Sequence, residues 1–337
     1  MKAVAYYQCL PSTDPLALQD IEMPAPAYGP RDLLVAVRAI SVNPVDTKIR
    51  SNVTPTDGQA KVLGWDVAGV VQAVGNQVCL FKVGDEVYYA GALQRPGGNS
   101  ELHVVDERIV GHKPRSLGFA EAAALPLTAI TAWELLFERL KVAEGSASNG
   151  QTLLIIGAAG GVGSILTQLA RRLTGLTVIG TASRPETADW VRKLGARQVI
   201  DHSQPLLPQL QQLGIGQVDH VASLTHTDQH YEQLIEVLAP QGQLALIDDP
   251  EQLDVVKLKR KSLSLHWEFM FTRSLFETAD MLKQHALLER VAQLIDAGVL
   301  RTTLGEHFGA INCVNLRRAH ALLESGKSRG KIVLEGF

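Results

Sequence analysis

The sequence predicts an α/β protein of two domains, a β-rich domain divided around a doubly wound parallel-sheet domain. Three observations carry this. The chain has 337 residues, whereas single cores rarely grow beyond roughly 250–300. Its first 125 residues are short Val-rich runs broken by Gly, Pro, Asn and Asp. From residue 152 onward, continuous apolar runs alternate with amphipathic ones, the mark of parallel strands covered by helices.

In chain order, "DLLVAVRAISV" (32–42), "VAGVVQAVG" (67–75) and "ELHVVDE" (101–107) read as strands, and "KVGDEVYY" (82–89) as a turn entering a strand. Together they have the texture of a twisted antiparallel barrel. Near residue 120, "FAEAAALPLTAITAWELLFERL" takes helical spacing. Then follow strand "TLLIIG", a helix over 161–173, strand "TVIGTAS", helix "PETADWVRKLG" and strand "QVID". A helix near 204–213, strand "VDHVASL", helix "DQHYEQLIEVLA" and strand "GQLALID" complete the series. Beyond about 265 the pattern is mainly helical until a final strand in "KIVLEGF". The expected domains are 1–126 with 269–337, and 127–268.

Bulk properties narrow the function classes. A net charge of −3 without a basic run argues against nucleic acid as the main partner. No uninterrupted apolar run is long enough to span a bilayer, and "MKAVAYYQCLPSTDPL" lacks a signal-peptide core, so a soluble protein without a membrane partner is expected. Cys9, Cys79 and Cys313 are odd in number and far apart. They fit a reducing cytoplasm and form neither a disulfide framework nor a zinc ribbon.

The stretch "GAAGGVG" (157–163) lies between the first strand of the βαβ series and its helix. Gly160, Gly161 and Gly163 remove Cβ atoms where a backbone must approach a pyrophosphate and where helix must pack on strand. Ala158 stands at the first position of the usual Gly-x-Gly-x-x-Gly, and Val162 precedes the last glycine. The N–H groups and dipole of the following helix favour an anion, so a dinucleotide cradle is expected. At the end of the second strand, an acidic residue would bind the ribose of NAD. This chain has Ser183 and Arg184, with no carboxylate before Glu186. Both can donate to a 2′-phosphate, which predicts NADP(H). Ser183 also suits the cap of a helix starting at Pro185.

The combination of "SVNPVDTKIR", "LGWDVAGVVQAVG", "FKVGDEVYY", "AAALPLTAITAWELL", "GAAGGVG" and "GKSRGKIVLEG" resembles the medium-chain dehydrogenase/reductase superfamily over essentially the whole chain. The branch it resembles is that of quinone oxidoreductases and zeta-crystallin, and "SLTHTDQHYEQLIEVLAPQG" with "HWEFMFTRS" is similar to a subgroup labelled zinc-type alcohol dehydrogenase-like. The resemblance implies a GroES-like catalytic domain plus a Rossmann domain, and a homodimer pairing through "GQLALID". In zinc members, a ligand Cys stands at Asn43, a ligand His and its Glu at Trp65 and Asp66, and a third ligand near Leu127. Trp and Leu cannot bind zinc, and region 90–100 lacks the cysteines of a structural zinc lobe, so no metal is expected. His220, His226 and His230 leave another metal site open.

Without a metal, an alkoxide loses its main stabiliser. Quinones and α,β-unsaturated carbonyls need less, because hydride addition leaves a delocalised anion that hydrogen-bond donors can hold. The resemblance accordingly implies NADPH-dependent reduction of a small hydrophobic carbonyl or quinone. It places Asn43 against the nicotinamide ribose or substrate oxygen, Lys48 against the developing anion, and Asp46 where it would orient Lys48 or Arg50. Thr131 and Thr225 fall on the nicotinamide side and His202 on the adenine side. Trp65 would fill the vacated metal pocket, and "HWEFMF" (266–271) would line the substrate mouth or a dimer contact. A metal-dependent alcohol dehydrogenase with unidentified ligands, or an NADPH-binding protein with little turnover, are the competing functions.

Overall fold

The structure is a computed structural model and describes residues 1–145 and 150–337. It divides into two compact units, Met1–Ile130 with Phe271–Phe337, and Thr131–Met270.

The first segment carries strands β1 (Lys2–Tyr6), β2 (Gln19–Glu22), β3 (Asp32–Val42), β4 (Lys61–Val62), β5 (Val67–Val74), β6 (Glu86–Tyr89), β7 (Leu102–Asp106) and β8 (Val110–His112). Its helices are α1 (Pro44–Asn52), α2 (Phe119–Ala123) and α3 (Pro126–Trp133). After the central unit the chain adds α8 (Thr272–Leu275), α9 (Leu282–Asp296), β15 (Leu304–His307), α10 (Cys313–Glu324) and β16 (Lys331–Glu335). Strands β2-β1-β4 form one sheet, and β15-β16-β3-β5-β6-β8 form another, with β7 also on β3. Most pairs are antiparallel, as the short strands and tight turns require. The β15–β16 pair is parallel. Strand β3 is long because it is buried on both sides at its end, where Ala39, Ile40 and Val42 are core residues. From there the chain turns directly into α1 through Asn43 and Pro44, a proline at the first helical position.

The central unit holds β9 (Thr152–Ile156), α4 (Gly161–Leu173), β10 (Thr177–Thr181), α5 (Pro185–Leu194), β11 (Gln198–Ile200), α6 (Leu206–Gln212), β12 (Val218–Ser223), α7 (Thr227–Val237), β13 (Leu238–Leu246) and β14 (Ser264–Trp267). Its parallel sheet runs β11-β10-β9-β12-β13-β14, the doubly wound order with a switch point between β9 and β12. Leu154, Ile156, Val221, Leu244 and Leu246 pack with Leu206, Leu210 and Leu234 into one core. The continuous apolar strands exist because both sheet faces are covered.

Three expectations need correction. "GQLALID" is not a sheet edge: β13 is flanked by β12 and β14, and the edge is β14. "SLHW" escaped notice as a strand because an edge strand needs no continuous apolar run. The helical run near 120 is also not uniform. After α3 it opens into a π-helical turn over Glu134–Arg139, closed by Leu140 N donating to Leu135 O at 2.9 Å. Finally, Phe119–Arg139 is long and apolar enough to cross a membrane by length and composition, but its most apolar window is 78% buried within the protein.

Candidate functional site

In the central unit, β9 delivers the chain to Gly157, whose φ of +77° belongs to the left-handed region. A Cβ there would lie 2.9 Å from Cγ2 of Thr225 across the switch point. Gly163 is required by packing, since a Cβ would lie 2.5 Å from the Gly157 carbonyl oxygen and 2.6 Å from Cα of Ala158. Gly160 differs. As the N-cap of α4 it has an ordinary φ of −71°, and a Cβ would meet nothing closer than 3.5 Å. The fold does not demand glycine there, whereas a ligand approaching the backbone would. Gly161 and Val162 open α4, so their N–H groups belong to the helix end that has no intrahelical acceptor. Ala158 is fully buried and stands 3.1 Å from where a Cβ on Gly180 would sit, so its methyl fills the gap between the turn and β10. Trp190 Nε1 donates to Ser164 Oγ at 2.8 Å and ties α5 to α4. This arrangement fits a dinucleotide pyrophosphate.

At the end of β10, Thr181 Oγ1 accepts from Gly157 N at 3.1 Å and lies 3.0 Å from His202 Nδ1. Ser183 is exposed. The N-cap of α5 is Arg184 rather than Ser183, without a side-chain cap bond, so the capping role allowed for Ser183 is not used. Arg184 Nε lies 3.4 Å from Glu186 Oε1, with both side chains partly exposed. Such a surface pair is worth about 0–1 kcal/mol. Thr225 Oγ1 lies 2.7 Å from His226 Nδ1, and Thr131 is buried in α3. In the "HWEFMF" stretch, Met270 and Phe271 are core residues and Glu268 accepts from Arg139 Nε at 2.8 Å. Only Trp267 and Phe269 are exposed, so the three apolar residues 269–271 do not form one substrate-facing wall.

The other unit contains a buried polar cluster assembled from four segments. Asn43 is 1% exposed, and its Nδ2 donates to Asp66 Oδ2 at 2.8 Å and to the Ser41 carbonyl at 3.3 Å. Lys331 Nζ donates to Asp66 Oδ2 and the Val42 carbonyl, each at 2.9 Å, and to Asn43 Oδ1. Leu127 N donates to Asp66 Oδ1 at 2.7 Å. Asp46 Oδ2 accepts from Asn43 N at 2.7 Å, while its Oδ1 is buried without a partner. Burial pushes the Asp46 carboxyl up to about 7, against the pull of Asn43 N–H and Lys331 and with a push from Asp66. Burial raises Asp66 as well, and Lys331 is the largest opposing influence. Lys331 is hydrogen-bonded to Asp66 and acts on Asp46 only through space, and burial favours the protonated form of both carboxyls.

The roles expected for these residues shift accordingly. Both amide hydrogens of Asn43 are engaged inside the protein, so it does not offer them to a substrate or ribose. Asp46 faces the cluster rather than orienting Lys48, which is exposed on α1. Arg50 is held by His320 Nδ1 at 3.0 Å and by Glu324. Lys331 was not singled out from the sequence, although a lysine directly before the apolar run "IVL" is a signal for a buried charge needing partners.

The residues at the zinc positions do not fit zinc. Asn43 is committed, Trp65 is buried with Nε1 donating to the Ala92 carbonyl at 3.3 Å and its ring edge-on to Phe271, and Leu127 offers only its backbone. Lys331 Nζ takes up Asn43 Oδ1 and Asp66 Oδ2, the side-chain oxygens that remain at these positions. Among the described residues no group of three His, Cys, Asp or Glu side chains is placed to hold a metal.

Residues 29–133 match the alcohol dehydrogenase GroES-like domain, and residues 194–334 match the zinc-binding dehydrogenase family. The chain is 43% identical over 306 residues to a zinc-type alcohol dehydrogenase-like protein of Staphylococcus aureus, covering 90% of each. A crystal structure of a putative zinc-dependent alcohol dehydrogenase protein from Rhizobium etli superposes with a TM-score of 0.96 at 54% identity, covering 100% of this chain and 98% of that one. The Escherichia coli quinone oxidoreductase complexed with NADPH superposes with a TM-score of 0.84 at 26% identity, covering 99% and 100%. With a GroES-like unit, a switch-point cradle on a doubly wound sheet and relatives matched along nine-tenths of its length, the chain belongs to the medium-chain dehydrogenase/reductase superfamily of oxidoreductases.

Proposed function

We propose that this oxidoreductase is zinc-independent and uses NADPH to reduce quinones or α,β-unsaturated carbonyl compounds. The observation that carries the reading is Lys331, whose ammonium joins Asn43 and Asp66 in the cluster where zinc members would place a dication. The Escherichia coli quinone oxidoreductase with NADPH supports the cofactor and acceptor class.

When bound, NADPH supplies the hydride. The N–H groups at Gly161, Val162 and Gly163 take the pyrophosphate, and Ser183 with Arg184 takes the 2′-phosphate. Thr131, Thr225 and His202 position the nicotinamide and adenine ends. Asn43 and Asp46 act as positioning residues that fix the first turn of α1, the helix that presents Lys48. Lys48 steadies the enolate or quinol oxygen. The acceptor is small and hydrophobic, and two copies pair along the free edge of β14.

The test is NADPH consumption by metal-stripped protein against a simple quinone and an α,β-unsaturated aldehyde. Turnover without metal is the expected result. Activity that appears only on adding zinc would refute zinc independence, and tight NADPH binding without turnover on any acceptor would refute the enzyme reading.

A further inference from the structure

Three histidines gather at the carboxyl ends of the central sheet. His202 follows β11, His226 caps α7, and His230 lies one turn into that helix. The rings of His202 and His230 meet edge-on with centroids 6.0 Å apart. His202 Nδ1 lies 3.0 Å from Thr181 Oγ1, the same oxygen that accepts the Gly157 N–H. His226 takes a left-handed backbone, φ 51° and ψ 40°, with Nδ1 2.7 Å from Thr225 Oγ1. The methyl of Thr225 is the group that a Cβ on Gly157 would strike. Two of the three imidazoles therefore approach the glycine that opens the cradle, each through one threonine. The third, His230, has a buried Nδ1 with no partner. Metal binding does not account for the trio, since it is not among any group placed to hold an ion.

We infer that this trio is a proton-linked part of the cofactor site, and that a phosphate-bearing dinucleotide draws a proton onto it when it binds. The inference rests on the NADP(H) reading above. Charges facing the rings are few. His202 faces Asp201 and His226, and His230 faces His202, His226, Asp228 and Asp248. The Asp248 carboxylate is already taken by the backbone N–H and hydroxyl of Thr227. Burial, then the neighbouring histidines, hold His230 below the ordinary histidine range, and burial leads for His202 too. His202 and His230 are thus biased toward the uncharged form, and a phosphate brought beside them reverses that bias by favouring the imidazolium. The 2′-phosphate is the favoured partner, because His202 follows the strand next to β10, whose end carries Ser183 and Arg184.

Calorimetric titration with NADP⁺ at pH 6.5, in buffers of different ionisation enthalpy, counts the protons exchanged. The 2′-phosphate has its own second pKa near 6, so binding its dianion alone would release protons. Net uptake, on the order of half a proton, is the expected result, with less for NAD⁺. His226→Asn keeps the left-handed backbone, which Asn tolerates, and His230→Gln removes the unpartnered ring. Each is expected to reduce the uptake and to weaken NADP⁺ about tenfold at pH 6, the equivalent of one pKa unit, with little change at pH 8.5. NADP⁺ binding without uptake, or uptake unchanged in both variants, would overturn the inference and leave the cofactor assignment standing. Heat with NAD⁺ but none with NADP⁺ would overturn the cofactor assignment and the inference with it.

Discussion

Replacing Asp46 by Asn removes one proton-binding site from the buried cluster while keeping the oxygen that accepts from Asn43 N. In the native protein this carboxyl is pushed from 3.8 to about 7, chiefly by burial. The folded state therefore holds its proton more tightly than the unfolded chain. Stability from that proton is fully present below the unfolded value and is lost as pH rises toward the folded one. Each pH unit within the window costs about 1.4 kcal/mol, so the native protein should lose roughly 2–3 kcal/mol between pH 5 and 8 through this group. Asp46→Asn carries the neutral shape at every pH and escapes the loss. Urea unfolding of both proteins at pH 5, 6, 7 and 8 measures the difference directly. The variant should gain on the native protein with rising pH, the gain levelling above about 7. Parallel stability curves would refute the assignment of a buried, proton-holding Asp46, as would a variant that falls further behind at high pH.

Lys331→Met leaves Asp66 buried without its cation and should cost about 3–5 kcal/mol, read as a lowered denaturation midpoint. Adding Asp66→Asn to it should recover part of the loss, and a double-mutant cycle without coupling would contradict the cluster. Gly160→Ala and Gly163→Ala should separate binding from folding. The first should change stability by no more than about 1 kcal/mol, because its Cβ meets nothing closer than the Gly157 carbonyl oxygen at 3.5 Å, yet weaken NADPH by standing where the cofactor approaches the backbone. The second should destabilise the unit through its clash with Gly157 and Ala158, and equal loss of stability in both would remove the argument. Ser183→Asp with Arg184→Ala should weaken NADPH far more than NADH in fluorescence titrations, and equal loss for both would count against the 2′-phosphate assignment.

The cradle was legible because its determinants are local. A buried strand, glycines and an amphipathic helix follow within a few residues, and the helix expected over 161–173 is α4 to the residue. Even there Gly157 went unremarked, although its positive φ and its contact with Thr225 set the turn. The edge strand β14 was not legible, because one neighbour and partial exposure leave it no distinctive pattern. The polar cluster was hidden for a different reason. Lys331 reaches Asp66 across 265 residues of sequence and Asn43 across 288. No spacing rule links them, and only the pairing of β16 with β3 brings Ile332 opposite Val42 and so Lys331 beside Asn43. Read singly, Asn43, Trp65 and Leu127 are three absent ligands. Read with Lys331 and Asp66, Asn43 and Leu127 are parts of one buried network, in which removing Lys331 alone leaves the Asp66 carboxyl without its cation. On the zinc-independent reading proposed above, ligands installed at Asn43, Trp65 and Leu127 would not suffice to bind zinc while Lys331 still occupied Asn43 Oδ1 and Asp66 Oδ2.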